Sequence, residues 1–138
     1  MADIMSKSER SKLMSRIRNA DTGPEMLVRS MLHRRGFRFR LRRKGLPGRP
    51  DIVLPRYRVA VLVHGCFWHL HDNCPDGRLP KSNTGFWEKK LYGNKERDQR
   101  NLEALTEAGW RPLVVWECQI EKEPEAVGDA LTNQILSE

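Results

Sequence analysis

Residues 59–63, Val-Ala-Val-Leu-Val, are apolar without a break. A strand that is apolar on both faces must be covered on both, so the chain needs a layer of structure on each side of a sheet. Directly after it comes His64-Gly65-Cys66-Phe67-Trp68-His69-Leu70-His71-Asp72-Asn73-Cys74. This stretch holds three of the four histidines and two of the three cysteines. The chain beyond it stays polar and Gly/Pro-containing to about residue 85. A segment that long without regular structure is functional or tied down by something other than an apolar core.

The flanking sequence supplies the layers. Ser6 to Glu9 has capping-box spacing, and Leu13, Met14 and Ile17 follow at helical intervals among Arg10, Lys12, Arg16 and Arg18. This predicts a short basic helix near the N-terminus. Thr22-Gly23-Pro24-Glu25 is a second capping box, and Leu27, Val28, Met31 and Leu32 give an amphipathic helix that Gly36 ends. Phe37 to Leu41 alternates with period two, as a half-exposed strand does. Asp51 to Leu54 is a short strand stopped by Pro55, and 59–63 is the third. A helix or helix pair runs from about Phe86 to Ala108, with Leu102 and Leu105 inward. Pro112 to Trp116 is a fourth strand. Residues 124–137 form a last helix with Val127, Ala130, Leu131, Ile135 and Leu136 as its core face. The expected architecture is α/β, a mixed central sheet flanked by helices, in a single domain spanning 1–138.

Cys66, His71 and Cys74 lie in the loop after a buried strand, and Cys118 stands two residues past the next apolar strand. If the two strands are neighbours, Cys118 reaches that loop. Thiolates with one imidazole, four in all, suit zinc in a closed structural site that pins the 64–85 loop. Spacing alone does not choose among His64, His69 and His71. Three cysteines with any one of them close the site, and two histidines are left over. Such a zinc has no open position and is not the catalytic metal.

Asp51 opens one strand and His64 ends the next, so a carboxylate and an imidazole converge at one point. A carboxylate suits Mg2+ beside a phosphate, and a histidine there serves as acid or base near neutral pH. Glu25 is a candidate second carboxylate, or merely the partner of Thr22 in the capping box.

The net charge is +7, unevenly placed. Residues 1–44 carry thirteen Lys and Arg against four Asp and Glu, and the remainder is slightly acidic. A basic arm on a near-neutral body fits a polyanion such as nucleic acid. No apolar run reaches bilayer length, and the N-terminus lacks the apolar core of a secretory signal, so the expected address is cytoplasmic.

TGPE (22–25), GLPGRPDIVLPRYRVAVLVHGCFWH (45–69), FWEKK (86–90), N-x-x-RD (94–98) and GWRPLVVWEC (109–118) closely resemble the very-short-patch repair, or Vsr-type, DNA mismatch endonucleases. The likeness spans about residues 6–136. It implies a restriction-endonuclease-like fold with a zinc-stabilised loop. It also implies Mg2+-dependent nicking of double-stranded DNA beside the T of a T:G mismatch, such as deamination of 5-methylcytosine leaves. Residue by residue, it implies that Asp51 and the Val63 carbonyl hold Mg2+ and that His69 is the acid/base. His64 assists at the scissile phosphate, and Glu25 orders water. Zinc goes to Cys66, His71, Cys74 and Cys118. Phe67, Trp68 and Trp87 form an apolar wedge between base steps, and the helix within 1–20, with Met14, Arg16, Ile17 and Arg18, grips the opposite groove. A bacterial, nucleoid-associated monomer is expected, with other repair proteins as further partners.

Three positions depart from the family pattern. Val63 replaces Thr, which a carbonyl ligand tolerates. Asn73 is inserted, so the third zinc ligand falls one residue later. Val63-His64-Gly65 stands where the wider nuclease superfamily has an acidic-x-Lys signature, a departure shared with the Vsr type. Two other functions compete: a nicking enzyme without mismatch preference, and a zinc-stabilised DNA-binding module without catalysis. A redox or zinc sensor has little beyond the cysteine count in its favour.

Overall fold

The computed structural model describes residues 22–41, 43–72 and 74–137. The expected basic helix with Met14, Arg16, Ile17 and Arg18 lies outside the described residues. Helix α1 (Gly23–Arg34) begins where the Thr22 hydroxyl accepts a hydrogen bond from the Glu25 N–H at 3.3 Å, one half of the expected capping box. Val28, Met31 and Leu32 are buried, whereas Leu27 is exposed, so the apolar face is narrower than expected. Gly36, at φ 85°, takes the left-handed turn that ends the helix.

Four strands form one sheet among the described residues: β1 (Arg40–Leu41), β2 (Ile52–Leu54), β3 (Val59–His64) and β4 (Arg111–Trp116), in that spatial order. The first two pairings are antiparallel; β3 and β4 are parallel, in register from Val59↔Arg111 to His64↔Trp116. A parallel neighbour needs a crossover, and helix α2 (Thr84–Glu107) supplies it. Helices α3 (Glu117–Lys122) and α4 (Pro124–Leu136) follow β4.

β1 is shorter than the alternation of Phe37 to Leu41 suggested, because its partner β2 has three residues before Pro55 ends it. The region expected as a helix or helix pair is one helix; Gly93, which costs about 1 kcal/mol in a helix interior, sits exposed within it without breaking it. α3 was not foreseen, so Cys118 stands on a helical turn rather than in a loop. On α4, Leu131 and Ile135 are buried and Val127 half-buried as expected. Ala130 and Leu136 are exposed instead, and Gly128 is buried.

Alternation along β3 sends its side chains to two cores. Val59 and Val61 meet Val28, Met31, Leu32, Ile120, Leu131 and Ile135 from α1, α3 and α4. Ala60 and Leu62 meet Leu105 and Trp110 with the α2 layer. Burying each large aliphatic side chain contributes about 1.5–3 kcal/mol, so both layers hold the central strand in place. His64 has the parity of Ala60 and Leu62 and emerges on the α2 side, at the end of β3. Among the described residues, no helix is long and apolar enough to cross a membrane.

Candidate active site and metal centre

The chain leaves β3 at His64 and turns back at once. The His69 N–H donates to the Gly65 carbonyl at 3.1 Å, and the His71 N–H to the Cys66 carbonyl at 3.0 Å. Leu70, left-handed at φ 47° and buried, completes the coil. This coil sorts the three histidines into two groups. His71 Nδ1 lies 3.5 Å from Cys66 Sγ and 3.4 Å from Cys118 Sγ. Cys74 joins them, and the four ligand atoms lie within 4.8 Å of one another. Gly77 packs so closely on the backbone of His71 that no side chain would fit there. Burial pushes the Cys66 thiol well above the ordinary range, so a thiolate at that position needs a cation beside it. The cluster is a donor set able to hold a metal ion.

The other two histidines face α2. The His64 and His69 rings stack with centroids 3.9 Å apart and planes 6° from parallel. Asp98, on α2, contacts His69 Nδ1 through its Oδ2 at 2.5 Å. One turn earlier on the same face, Asn94 donates to the Trp68 carbonyl at 3.1 Å. Asn94 and Asp98 thus clamp two consecutive residues of the coil. His64 is 6% exposed. Burial lowers its pKa from 6.5 to about 4, with His69 adding to the depression and Asp98 opposing it, so this ring is uncharged at neutral pH. These three residues also bring their ligand atoms within 4.8 Å. However, the lone pairs of two parallel stacked rings lie in separate planes and do not converge on one ion, so the group suits proton transfer better than metal binding.

Asp51 meets this end of the sheet from β2. Its Oδ2 accepts from the Val63 N–H at 2.7 Å, while its own N–H donates to the Val61 carbonyl at 3.1 Å. The N–H and C=O of one strand residue point to the same edge, so the Val63 carbonyl is directed to the side where the Asp51 carboxylate sits. A cleft of about 430 Å³ opens here, lined among others by Val63, Trp68, His69, Lys90, Arg97 and Asp98. Asp51 and His64 stand one contact behind that lining. Thr22 and Pro24 bring the start of α1 to the same cleft. Glu25, the residue after Pro24, is 2% exposed, and its Oε1 accepts from Arg29 at 2.6 Å.

Phe67, Trp68 and Trp87 form one aromatic group outside both cores. Phe67 lies 4.9 Å from Trp68 and 5.4 Å from Trp87, edge to face. Phe86, 62% exposed, extends the group at 5.2 Å from Trp87. Of the residues expected from sequence, the structure gathers Asp51, Val63, His64 and His69 at one point, and Cys66, His71, Cys74 and Cys118 at another. Asn94 and Asp98 carry no expected role from the sequence beyond their place in N-x-x-RD. Their four-residue spacing on one helix was the available signal.

Residues 2–75 match the family described as DNA mismatch endonuclease Vsr. The DNA mismatch endonuclease Vsr of Escherichia coli K12 is 42% identical over 135 residues, which covers 98% of this chain and 86% of that protein. The chain belongs to the Vsr family. It is accordingly a DNA endonuclease, and DNA is its partner. Within the family it is also similar to proteins named type II nicking enzymes. V.XorIIP of Xanthomonas oryzae pv. oryzae is 51% identical over 120 residues, covering 87% of this chain and 88% of that one. V.NmeAIP of Neisseria meningitidis serogroup A is 47% identical over 120 residues, covering 87% and 85%.

Proposed function

We propose that this endonuclease nicks one DNA strand beside the T of a T:G mismatch, with Mg2+ as its catalytic ion and zinc in the Cys/His cluster. The observation that carries the reading is the Asp98–His69–His64 group standing at the same strand end as Asp51 and Val63, over a cleft that also presents Lys90 and Arg97. The fold is taken as restriction-endonuclease-like in a single domain, acting as a cytoplasmic monomer. The basic arm of residues 1–20 holds the DNA backbone.

The donor sets fit both ions. Tetrahedral zinc, with bonds of roughly 2.3 Å to sulfur and 2.0 Å to nitrogen, spaces S and N ligands roughly 3.5 Å apart. The His71–Cys66 and His71–Cys118 separations of 3.5 and 3.4 Å agree. Asp51 and the Val63 carbonyl, two hard oxygens on one edge, would hold Mg2+, which when bound stabilises the charge that builds on the scissile phosphate. Glu25, buried at the start of α1, would order water at the site.

Asp98 accepts from His69 Nδ1–H and so leaves Nε2 as the basic nitrogen. Water loses a proton to His69 Nε2 as its oxygen attacks phosphorus; the ester bond on the far side breaks, and the leaving alkoxide oxygen takes a proton from solvent water. His64, uncharged, backs the His69 ring and assists at the phosphate through it, without acting as a cation. Phe67 and Trp68 from the coil, packed on Trp87 in the first turn of α2, would enter the stack at the mismatch, where unstacking costs less than at a paired step.

A second reading, nicking at a specific sequence without mismatch preference, is favoured by the relatives named as type II nicking enzymes. Duplexes identical but for one T:G or C:G pair separate the two. The proposed function requires Mg2+-dependent nicking of the T:G duplex at least ten times faster. Equal rates establish the second reading.

A further inference from the structure

The metal cluster and the histidine pair share one coil, and the Trp116 side chain touches both. Trp116 ends β4 directly beside His64 in the parallel register, so both side chains stand on the α2 face. Its indole stacks on His71, with centroids 4.0 Å apart and planes 8° from parallel. The same indole meets His64 edge to face at 5.1 Å and His69 at 6.5 Å. Two residues on, Cys118 reaches His71 Nδ1 from the first turn of α3. One β4–α3 junction therefore supplies a ligand to the cluster and a wall to the proton-transfer pair.

Each contact alone is ordinary packing. Together they form a continuous chain of contacts, stacked at His71–Trp116 and His64–His69, edge to face at Trp116–His64, and ending at the carboxylate of Asp98. A metal held by His71 fixes the tilt of that imidazole, and a planar ring packed at 4.0 Å must follow it. His64 is nearly fully buried between the indole edge and the His69 ring, so the indole edge bounds its orientation. Asp98 holds the His69 ring from the other end.

We propose that Trp116 is a positioning residue, a rigid strut through which metal seated at Cys66, His71, Cys74 and Cys118 sets the orientation of the His64–His69 pair. The proposal rests on the reading that this pair serves the phosphodiester chemistry. Misplacing such a group by about 1 Å costs on the order of 10²-fold in rate.

The test uses the full chain purified with zinc, as wild type, Trp116→Phe and Trp116→Leu. Four quantities are compared: bound zinc per chain, DNA affinity, single-turnover nicking rate, and the imidazole ring resonances of His64 and His69. Trp116→Leu is expected to keep its zinc, hold DNA affinity within about threefold, lose 10- to 100-fold in single-turnover rate, and shift the His64 ring resonances. Trp116→Phe, which keeps a flat ring against His71, is expected to recover most of the rate. A Leu variant that nicks at the wild-type rate overturns the proposal. Loss of zinc in parallel with rate also overturns it, because Trp116 is then a prop of the metal cluster alone. If the Leu variant does not fold, Trp116→Met takes its place under the same outcomes: a 10- to 100-fold slower rate with zinc retained supports the strut, and a wild-type rate refutes it. A wild type that fails to nick removes the proposed function, and the ring resonances of the Leu variant then judge the strut on their own.

Discussion

The two side-chain clusters at the end of β3 are drawn from the same short stretch of chain but completed from opposite directions. The cysteine–histidine cluster takes Cys66, His71 and Cys74 from the coil and is closed by Cys118 from α3. The histidine–carboxylate group takes His64 and His69 from the coil and is closed by Asp98 from α2. The first is an enclosed set of soft ligands with the stoichiometry of a structural metal. The second opens on a cleft, with one imidazole oriented by a carboxylate as proton transfer requires. One loop can thus be rigid and reactive at once, because alternate side chains along it are assigned to different neighbours.

That separation can be broken from either side. The largest effect is expected on the metal side. Cys118→Ser removes the only ligand that comes from beyond the coil. It should lose bound metal, lower the melting temperature by on the order of 10 °C or more, and abolish nicking along with the coil. Metal content and thermal unfolding check it. Asp98→Asn strikes the other cluster alone. It should lower single-turnover nicking by about 10²-fold while bound metal and melting temperature stay near wild type. If metal is lost as well, the two clusters are one unit. Asn94→Ala is expected to act least. Losing its bond to the Trp68 carbonyl costs about 1 kcal/mol of stability and a few-fold in rate, measurable by denaturant unfolding and the same nicking assay.

The two clusters also differ in how readable they were. Histidines and cysteines are scarce in this chain, so their concentration in residues 64–74 stood out and implied a metal. Asp98 is one of eighteen acidic residues, in a helix crowded with charge, and only its four-residue spacing from Asn94 marks it. Its role exists only because the β3–α2–β4 crossover brings that helix face to the coil. Spacing could not divide His64, His69 and His71 between the jobs; the resemblance did, and the coil geometry groups the atoms in the same way. The fold was legible where burial set the pattern, as in the unbroken run at 59–63 and in Val28, Met31 and Leu32. It was least legible at short elements. α3 has six residues between a strand and Pro124, too few for a helical period to show. β1 has two residues, although the alternation runs over five.

The central claim is that neighbouring histidines two residues apart serve different clusters. The most direct measurement is metal content and single-turnover nicking in matched His69→Ala and His71→Ala proteins. His69→Ala is expected to keep its full complement of metal and lose about 10²–10⁴-fold in nicking. His71→Ala is expected to lose metal. Metal lost from His69→Ala, or retained in full by His71→Ala, would contradict the division of the loop.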